Sequence, residues 1–182
     1  MVLHVRVEGE IDRGTVPLLK RALARAEEVK GECLLISLST SGGYLDAALE
    51  CRDLLLDAPV KTVAYVNREA LSAGALIAIS CERIYFAPGG AIGAATPVYF
   101  SRGRMEAAPE KVVSAVRETF RAAAEARGRN PDVAAAMVTP ILGSLTSWRK
   151  GSSSPSPPRA PRRGAIPAGP WRCSPRASPM SQ

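Results

Sequence analysis

The 182-residue chain is predicted to fold as an α/β domain, with a mainly parallel sheet built from repeated β-α units. The first observation behind this prediction is periodicity: segments with an apolar period of two alternate with segments of helical period. The second is size and composition, because 46% hydrophobic residues in a chain of this length suffice for one core. We therefore expect a single α/β domain.

The first two β-α units are read directly from the pattern. "LHVRVEG" alternates like a strand, and "VPLLKRALARAEEV" has helical spacing, with Pro17 near its start where a missing N–H is harmless. "CLLISL" is a continuous apolar run typical of a strand covered on both faces. After "STSGG", the segment "YLDAALECRDLLLDA" is helical again.

Shorter elements follow in the same alternation. "VKTVAYV" is predicted as a third strand, "SAGALIAIS" as a short helix and "RIYFA" as a fourth strand. "PGGAIGAATPV" is a Gly-rich segment that we expect to be irregular. A long amphipathic helix is predicted from about Pro109 to Ala126, and a last helix begins after Asn130-Pro131.

The net charge of +7 is concentrated at one end. Residues 144–182 contain seven Lys/Arg and no acid, whereas residues 1–143 contain 17 of each sign. This distribution argues against nucleic acid as a partner, because a folded binder carries its basic stripe on ordered elements. The same 39 residues hold eight prolines and nine serines, a composition typical of disorder. We expect a domain over residues 1–138 and a disordered Pro/Ser/Arg-rich tail over 139–182.

The composition changes abruptly near Thr139. With permitted codons, restoring one base at the Thr139 codon opens a frame with strand and turn character in place of the tail. We therefore expect the tail to be a frameshift product, in which case the chain is truncated. Neither a signal peptide nor an apolar run of the roughly 18 to 20 residues that span a membrane is found, so the printed chain is expected to be soluble.

Metal and cofactor chemistry lack their usual motifs. The four cysteines show no metal-binding spacing, and Cys33, Cys51 and Cys81 lie in apolar stretches that favour structural thiols. No P-loop, HExxH or dinucleotide fingerprint occurs, so neither a cofactor nor a metal is expected. The only histidine, His4, stands in the first strand with nothing reactive beside it, which favours a core or edge position over a catalytic triad.

Two turns and a serine remain as candidates for chemistry. "STSGGY" follows the second strand and Ser72 follows the third, and in a parallel sheet both strand ends lie at the edge where ligands bind. Gly42 and Gly43 allow close approach of the backbone, and free N–H groups facing a hydroxyl resemble an oxyanion hole beside a nucleophile. A serine at a helix start is also explained as a cap, and the residues alone leave that choice open.

A serine nucleophile needs a base, and with His4 set aside a lysine must serve, its pKa lowered from about 10.4 by burial. Lys20 and Lys30 lie among charged residues, and Lys61 opens a strand. Lys111 opens the long helix after the Gly-rich segment and is our candidate. From spacing alone, a surface lysine at a helix start explains it equally well.

Three stretches resemble, in order, the protease domain of NfeD-type membrane-bound serine proteases, which belong to the ClpP class of the ClpP/crotonase superfamily. They are "EGEIDRGTVPLLKRALARAEE", "TSGGYLDAALECRDLLLDAPVKTVAYVNREALSAGALIAISCERIYFAPGGAIGAATPV" and "EKVVSAVRETFRAAAEARGRNPDVAAAMV". The resemblance covers about residues 5–138, and "SAGA", "IGAATPV" and "GRNP" are its specific motifs. It implies a ClpP/crotonase-like fold and a Ser-Lys dyad peptidase, with Ser72 as nucleophile and Lys111 as general base.

The resemblance further implies an oxyanion hole formed by the backbone N–H groups of Gly43 and Ala73. Ser41 replaces the proline that the family usually carries before its two glycines, so we expect a less rigid turn. An extended peptide is expected to bind beside "STSGGY" by strand addition. The family is thought to cleave apolar segments of stomatin-like membrane proteins. Pairing of two copies and a membrane-associated protease domain outside the cytoplasm are expected of full-length members.

Two alternatives stay open. A crotonase-like enzyme would use a similar pair of backbone donors to hold an acyl-CoA thioester enolate, and the pair of Ser72 with Lys111 argues against it. The other alternative is a catalytically inactive, truncated fragment that acts only as an interaction module.

Overall fold

The computed structural model describes residues 1–101 and 103–138, and the tail predicted over 139–182 lies outside them. Over residues 2–86, strands and helices alternate along the chain as the periodicity predicts. The elements are β1 (Val2–Ile11), α1 (Thr15–Glu28), β2 (Cys33–Gly43), α2 (Leu45–Leu56), β3 (Thr62–Leu71), α3 (Ala73–Ser80), β4 (Arg83–Phe86), β5 (Ala91–Gly93), β6 (Val98–Ser101), β7 (Arg104–Ala107), α4 (Glu110–Ala126) and α5 (Pro131–Ala136).

The first five strands form one sheet in the order β1-β2-β3-β4, with β5 also paired to β3. β3 pairs with β4 along its first half and with β5 along its last three residues, from Glu69 to Leu71. All of these pairings are parallel. The predicted α/β fold with a mainly parallel sheet is therefore confirmed.

Helix α3 lies at the centre of the domain. All eight of its residues are buried, because the segment "AGALIAIS" has no polar face to turn toward water. It contacts β2 and β3 on one side and α2 and α4 on the other. The largest fully buried side chains of this core include Leu76 of α3 itself and Ile11, Leu38 and Phe120 of other elements. Burial of each such side chain stabilises the fold by about 1.5–3 kcal/mol, so α3 is firmly held.

Two arginines secure the carboxyl end of α3. Arg127 and Arg129 follow α4 and donate hydrogen bonds to backbone carbonyls 47 to 72 residues earlier in the chain. The acceptors are the carbonyl oxygens of Leu55, Leu56, Ile79, Ser80, Cys81 and Glu82. The last carbonyls of a helix have no intrahelical partner, and a cation beside them is favourable. The "RGRNP" segment, residues 127–131, thus ties α2 and α3 to α4.

The segment predicted to be irregular is more ordered than its composition indicates. Its "AIG" stretch forms β5, and an antiparallel hairpin of β6 and β7 follows, from the pair Val98 and Ala107 to the pair Ser101 and Arg104. A three-residue strand is too short to show a period, and Gly103, with φ +76°, provides the turn geometry of a tight hairpin. The prediction of an irregular segment was wrong for Ala91–Gly93 and for Val98, and the rest of the hairpin lies beyond that segment.

Within residues 1–101 and 103–138, none of the helices combines the length and apolar character that a membrane crossing requires.

Candidate active site

Ser72 occupies the junction between β3 and α3 in a strained conformation. Its φ of 51° and ψ of −116° lie in a region that residues with a side chain rarely adopt, at a typical cost of about 1–3 kcal/mol. Hydrogen bonds on both sides hold it there: its N–H donates to Gly93 O at 2.9 Å, and its carbonyl accepts from Ala75 N at 3.0 Å. The Ser72 side chain makes no capping hydrogen bond to α3. A helix cap therefore does not account for this serine.

The two glycines at the end of β2 are packed too closely to carry side chains. A Cβ added to Gly42, whose φ is +120°, would lie 2.7 Å from Ser72 Cβ and 3.2 Å from Ser72 Oγ. A Cβ added to Gly43 would overlap the carbonyl oxygen of Ile11 in β1. The glycines thus let the backbone of the second strand pass directly beside the Ser72 hydroxyl.

Hydrogen bonds brace the turn at Gly42 and Gly43, although Ser41 stands where the resemblance described above leads one to expect a proline. Gly42 N–H donates to Thr40 Oγ1 at 3.1 Å, and Tyr44 N–H donates to Ile11 O at 2.8 Å. Thr40 is itself buried, and its methyl group lies where a side chain on Gly74 of α3 would stand. These contacts fix the turn against both β1 and α3, so Ser41 leaves it well anchored.

Ala73 brings a backbone donor to the same place. It is the first residue of α3, and the N–H groups of a first helical turn have no intrahelical acceptor. They also carry the positive end of the helix dipole, which attracts an anion. Because α3 is buried, water screens this field only weakly. A developing oxyanion next to Ser72 would be stabilised here.

These groups line one cavity of about 720 Å³. Ser72, Gly42, Gly43 and Ala73 all contribute to it, so the structure brings four of the five predicted site residues together. Much of the remaining wall is apolar and comes from α2, α3, α4 and the segment from Ala94 to Val98, which joins β5 to β6. Those apolar residues are Leu45, Ala48, Leu76, Ala94, Ala95, Pro97, Val98, Val116 and Phe120.

The fifth predicted residue, Lys111, is not brought to the cavity. It lies in the first turn of α4, is exposed, and does not line the cavity, whereas Val116 and Phe120 of the same helix do. At 100° per residue, Lys111 projects from the face of α4 opposite its buried residues. No hydrogen bond joins Lys111 to Ser72 in the described part of the chain.

The remaining sequence candidates lie away from the cavity. His4 is exposed on the edge strand β1 and shares a 2.8 Å hydrogen bond with Ser37 Oγ, which confirms an edge position. Cys33, Cys51 and Cys81 are buried thiols outside any disulfide, and burial raises the pKa of both Cys51 and Cys81 to about 12, as expected of structural thiols. Among residues 1–101 and 103–138, no group of three potential ligands could hold a metal.

Sequence reasoning missed one charged residue of the cavity. Glu10, near the end of β1, lines it together with Ser41 and Thr96. The available signal was its place at the carboxyl end of a strand, the same criterion that selected "STSGGY" and Ser72.

Comparison with protein families matches residues 1–146 to the family described as NfeD1b, N-terminal domain. Membrane protein NfeD1b of Bacillus subtilis strain 168 is 35% identical over 141 residues, covering 78% of this chain and 32% of that protein. The membrane-bound protease PH1510 of Pyrococcus horikoshii is 30% identical over 151 residues, covering 80% of this chain and 34% of that protein. The chain therefore spans about a third of the length of these curated relatives.

Solved structures agree with this assignment. A serine-to-alanine mutant of the 1510-N membrane-bound stomatin-specific protease has a TM-score of 0.72 and 28% identity, over 76% of this chain and 70% of that one. A lysine-to-alanine mutant of the same protease, in complex with a substrate peptide, has a TM-score of 0.73 and 28% identity, over 76% and 66%. ClpP1 from Listeria monocytogenes shares the fold, with a TM-score of 0.57 and 20% identity over 74% and 78%. The predicted ClpP-like fold is thus confirmed.

Proposed function

Because this chain belongs to the NfeD1b N-terminal domain family, we propose that it acts as a serine peptidase with Ser72 as its nucleophile. The observation that carries this proposal is the strained Ser72, which lies against Gly42 in a cavity shared with the backbone of Gly43 and Ala73. The curated relative PH1510 and the structural neighbour 1510-N are named as proteases, which supports the same reaction class.

The conformation of Ser72 suits a nucleophile. Because its side chain makes no cap and its backbone is fixed on both sides, the Oγ atom can face the cavity without local reorganisation. Strain of this kind persists only where the surroundings over-determine it, and it is concentrated at functional sites. A structural serine in this position would gain nothing from the strained conformation.

The first half of the proposed reaction forms an acyl-enzyme. Ser72 Oγ attacks the carbonyl carbon of the scissile peptide bond while its proton passes to the neutral amine of Lys111. The carbonyl oxygen becomes an oxyanion that accepts hydrogen bonds from the N–H groups of Gly43 and Ala73. Collapse of this intermediate breaks the C–N bond, and the leaving amine takes the proton from the Lys111 ammonium.

The second half releases the acyl group. A water molecule attacks the Ser72 ester and gives a proton to Lys111, and the same two N–H groups hold the second oxyanion. Collapse then breaks the ester bond, and the proton returns from Lys111 to Ser72 Oγ. The enzyme is regenerated and the new carboxyl terminus leaves.

The role of Lys111 requires a rearrangement of the first turn of α4, because Lys111 is exposed in the structure. Ala108 N–H donates to Pro97 O at 3.0 Å, so the segment that leads into α4 already contacts the wall of the cavity. In the related stomatin-specific protease, a serine and a lysine were each replaced by alanine. Those two positions are separated by nearly the same length of chain as Ser72 and Lys111, which supports the assignment.

We infer that the substrate is an apolar segment of a membrane-associated, stomatin-like protein. The related 1510-N protease is described as stomatin-specific and was solved with a substrate peptide. Here, the apolar cavity wall formed by Leu45, Leu76 and Phe120 suits such a segment. The backbone beside the "STSGGY" turn would receive it by strand addition.

The relatives are named as a membrane protein and a membrane-bound protease, and we extend membrane association to this protein. We also propose that two copies of the chain pair. Sedimentation equilibrium across a concentration series would show a monomer–dimer transition if they do, and a single monomeric mass would refute pairing.

The proposal is tested by turnover of an apolar, fluorogenic peptide. Ser72→Ala and Lys111→Ala should each lower kcat by at least about a hundredfold, as for residues that act in the chemical step. Lys20→Ala, on the solvent side of α1, is the matched control and should leave turnover unchanged. Circular dichroism of each variant excludes loss of folding as the cause. Unchanged turnover in Ser72→Ala would overturn the nucleophile, and unchanged turnover in Lys111→Ala would overturn the base.

A further inference from the structure

The side chain of Glu10 points to the same side of the sheet as the nucleophile. Glu10 and Gly42 are direct partners across β1 and β2, and cross-strand partners direct their side chains to one face of the sheet. A Cβ at Gly42 would lie 2.7 Å from Ser72 Cβ, so side chains on this face of the sheet are directed toward Ser72. Partner Cβ positions lie about 5 Å apart, which brings the Glu10 carboxylate within reach of groups bound at Ser72.

A local irregularity sets this orientation. The register between β1 and β2 shifts between Glu8 and Glu10, and the intervening Gly9 has a φ of +79°. Irregularities of this kind are frequent next to active sites, where they redirect a side chain. Glu8 does not line the cavity although it lies two residues away on the same strand.

Of the described residues that line the cavity, Glu10 is also the only one with a charged side chain. It is exposed, and no ion pair or hydrogen bond of its carboxylate occurs in the described ranges, 1–101 and 103–138. The nearby Arg13 is paired with Asp46 at 3.3 Å. A free carboxylate beside an otherwise neutral, largely apolar cavity is a recognition group for a cation.

We propose that Glu10 selects peptide substrates that carry a lysine or arginine within two residues of the scissile bond. This inference rests on the proposed peptidase function and adds a charge requirement to its apolar substrate. A bound peptide displaces water from the cavity, which strengthens the attraction between Glu10 and a basic side chain. The same displacement penalises an acidic side chain, so Glu10 discriminates by repulsion as well as by attraction.

Binding to the Ser72→Ala chain tests this without requiring turnover. A fluorescent apolar peptide is prepared with one lysine, glutamine or glutamate placed at successive positions, and fluorescence anisotropy gives each Kd. At the favoured position we expect the lysine peptide to bind roughly three- to tenfold more tightly than the glutamine peptide, the range of a partly exposed ion pair. The glutamate peptide should bind more weakly than both.

The additional substitution Glu10→Gln should abolish the difference, and Glu10→Lys should invert it. Glu8→Gln is the matched control, and it should preserve the preference because Glu8 does not line the cavity. A lysine preference that survives in Glu10→Gln, or no preference at any position, would overturn the inference. If the preference holds while the parent chain hydrolyses none of these peptides, the peptidase proposal fails and the cation site stands.

Discussion

Gly42 and Ser72 are in van der Waals contact across the ends of β2 and β3, with room for nothing larger than hydrogen at position 42. This contact joins the turn that carries one proposed backbone donor to the junction that carries the proposed nucleophile. It depends on the left-handed φ of both residues, +120° for Gly42 and 51° for Ser72. The conformation of the turn at Gly42 and that of the junction at Ser72 therefore constrain each other.

Substitution of Gly42 should therefore damage the site more than the fold. In Gly42→Ala the new methyl group must displace the Ser72 side chain, and we expect the rate of labelling by a fluorophosphonate probe to fall more than about tenfold. The matched control is Gly89→Ala, which also has a positive φ, +81°, but whose added Cβ meets nothing within 4 Å. Equal labelling of both variants would show that the contact with Ser72 has no role.

The strain at Ser72 predicts that a residue tolerating its φ will stabilise the fold. Glycine tolerates a φ of 51° and is accepted at a helix N-cap, so Ser72→Gly should be more stable than Ser72→Ala by about 1 kcal/mol, although neither should hydrolyse peptides. Urea unfolding of both variants measures the difference in the free energy of unfolding. A Ser72→Gly variant less stable than Ser72→Ala would show that the junction is unstrained.

The first three β-α units could be predicted because their signals are local. The alternation in "LHVRVEG", the apolar run "CLLISL" and the helical spacing of "VPLLKRALARAEEV" each lie within one element. The strands β5, β6 and β7 have three or four residues, and their existence depends on partners rather than on period. Sequence patterns could not predict the pairing of β5 with β3, although β5 provides the Gly93 carbonyl that accepts the hydrogen bond of Ser72 N–H.

For the candidate site, the sequence predicted which residues lie at the sheet edge better than it predicted their conformation and exposure. The edge of a parallel sheet collects strand ends, which was enough to place Ser72 beside Gly42 and Gly43. The strain at Ser72 and the exposure of Lys111 depend on tertiary packing, which spacing does not encode. Glu10 reaches the cavity through a register shift between β1 and β2 at Gly9, and an isolated glycine in a strand pattern marks such a shift without showing which side chain it redirects.

Arg127 and Arg129, which follow α4, should stabilise the domain because their hydrogen bonds join segments that are far apart in the sequence. Arg129 donates to the carbonyls of Ile79, Cys81 and Glu82, and burial lowers the pKa of its guanidinium below the ordinary value. In Arg129→Gln these carbonyls lose a charged donor, so we expect a loss of about 2–3 kcal/mol in the free energy of unfolding.

The matched control is Arg25→Gln, because Arg25 pairs with Glu28 on the exposed face of α1. Such a surface pair contributes less than about 1 kcal/mol, so unfolding in urea should change little. If both substitutions lowered the free energy of unfolding equally, the hydrogen bonds of Arg129 at the end of α3 would not have the stabilising role assigned to them.

The buried thiols predict a pH dependence. Because burial raises the pKa of Cys51 and Cys81 from 9.0 to about 12, the unfolded chain releases these protons at lower pH than the folded chain. Their contribution to stability is therefore complete below pH 9 and is lost as the pH rises toward 12. Unfolding free energies measured from pH 8 to 10.5 should fall less steeply in a Cys51→Ala/Cys81→Ala variant. An identical slope in parent and variant would contradict the burial of these thiols.

The most direct test of Ser72 as the nucleophile is the site at which a fluorophosphonate probe attaches to the 182-residue chain. After digestion, tandem mass spectrometry should find one phosphonylated residue, Ser72, and the adduct should be absent from Ser72→Ala. An adduct on another residue, or equal labelling of Ser72→Ala, would contradict the account.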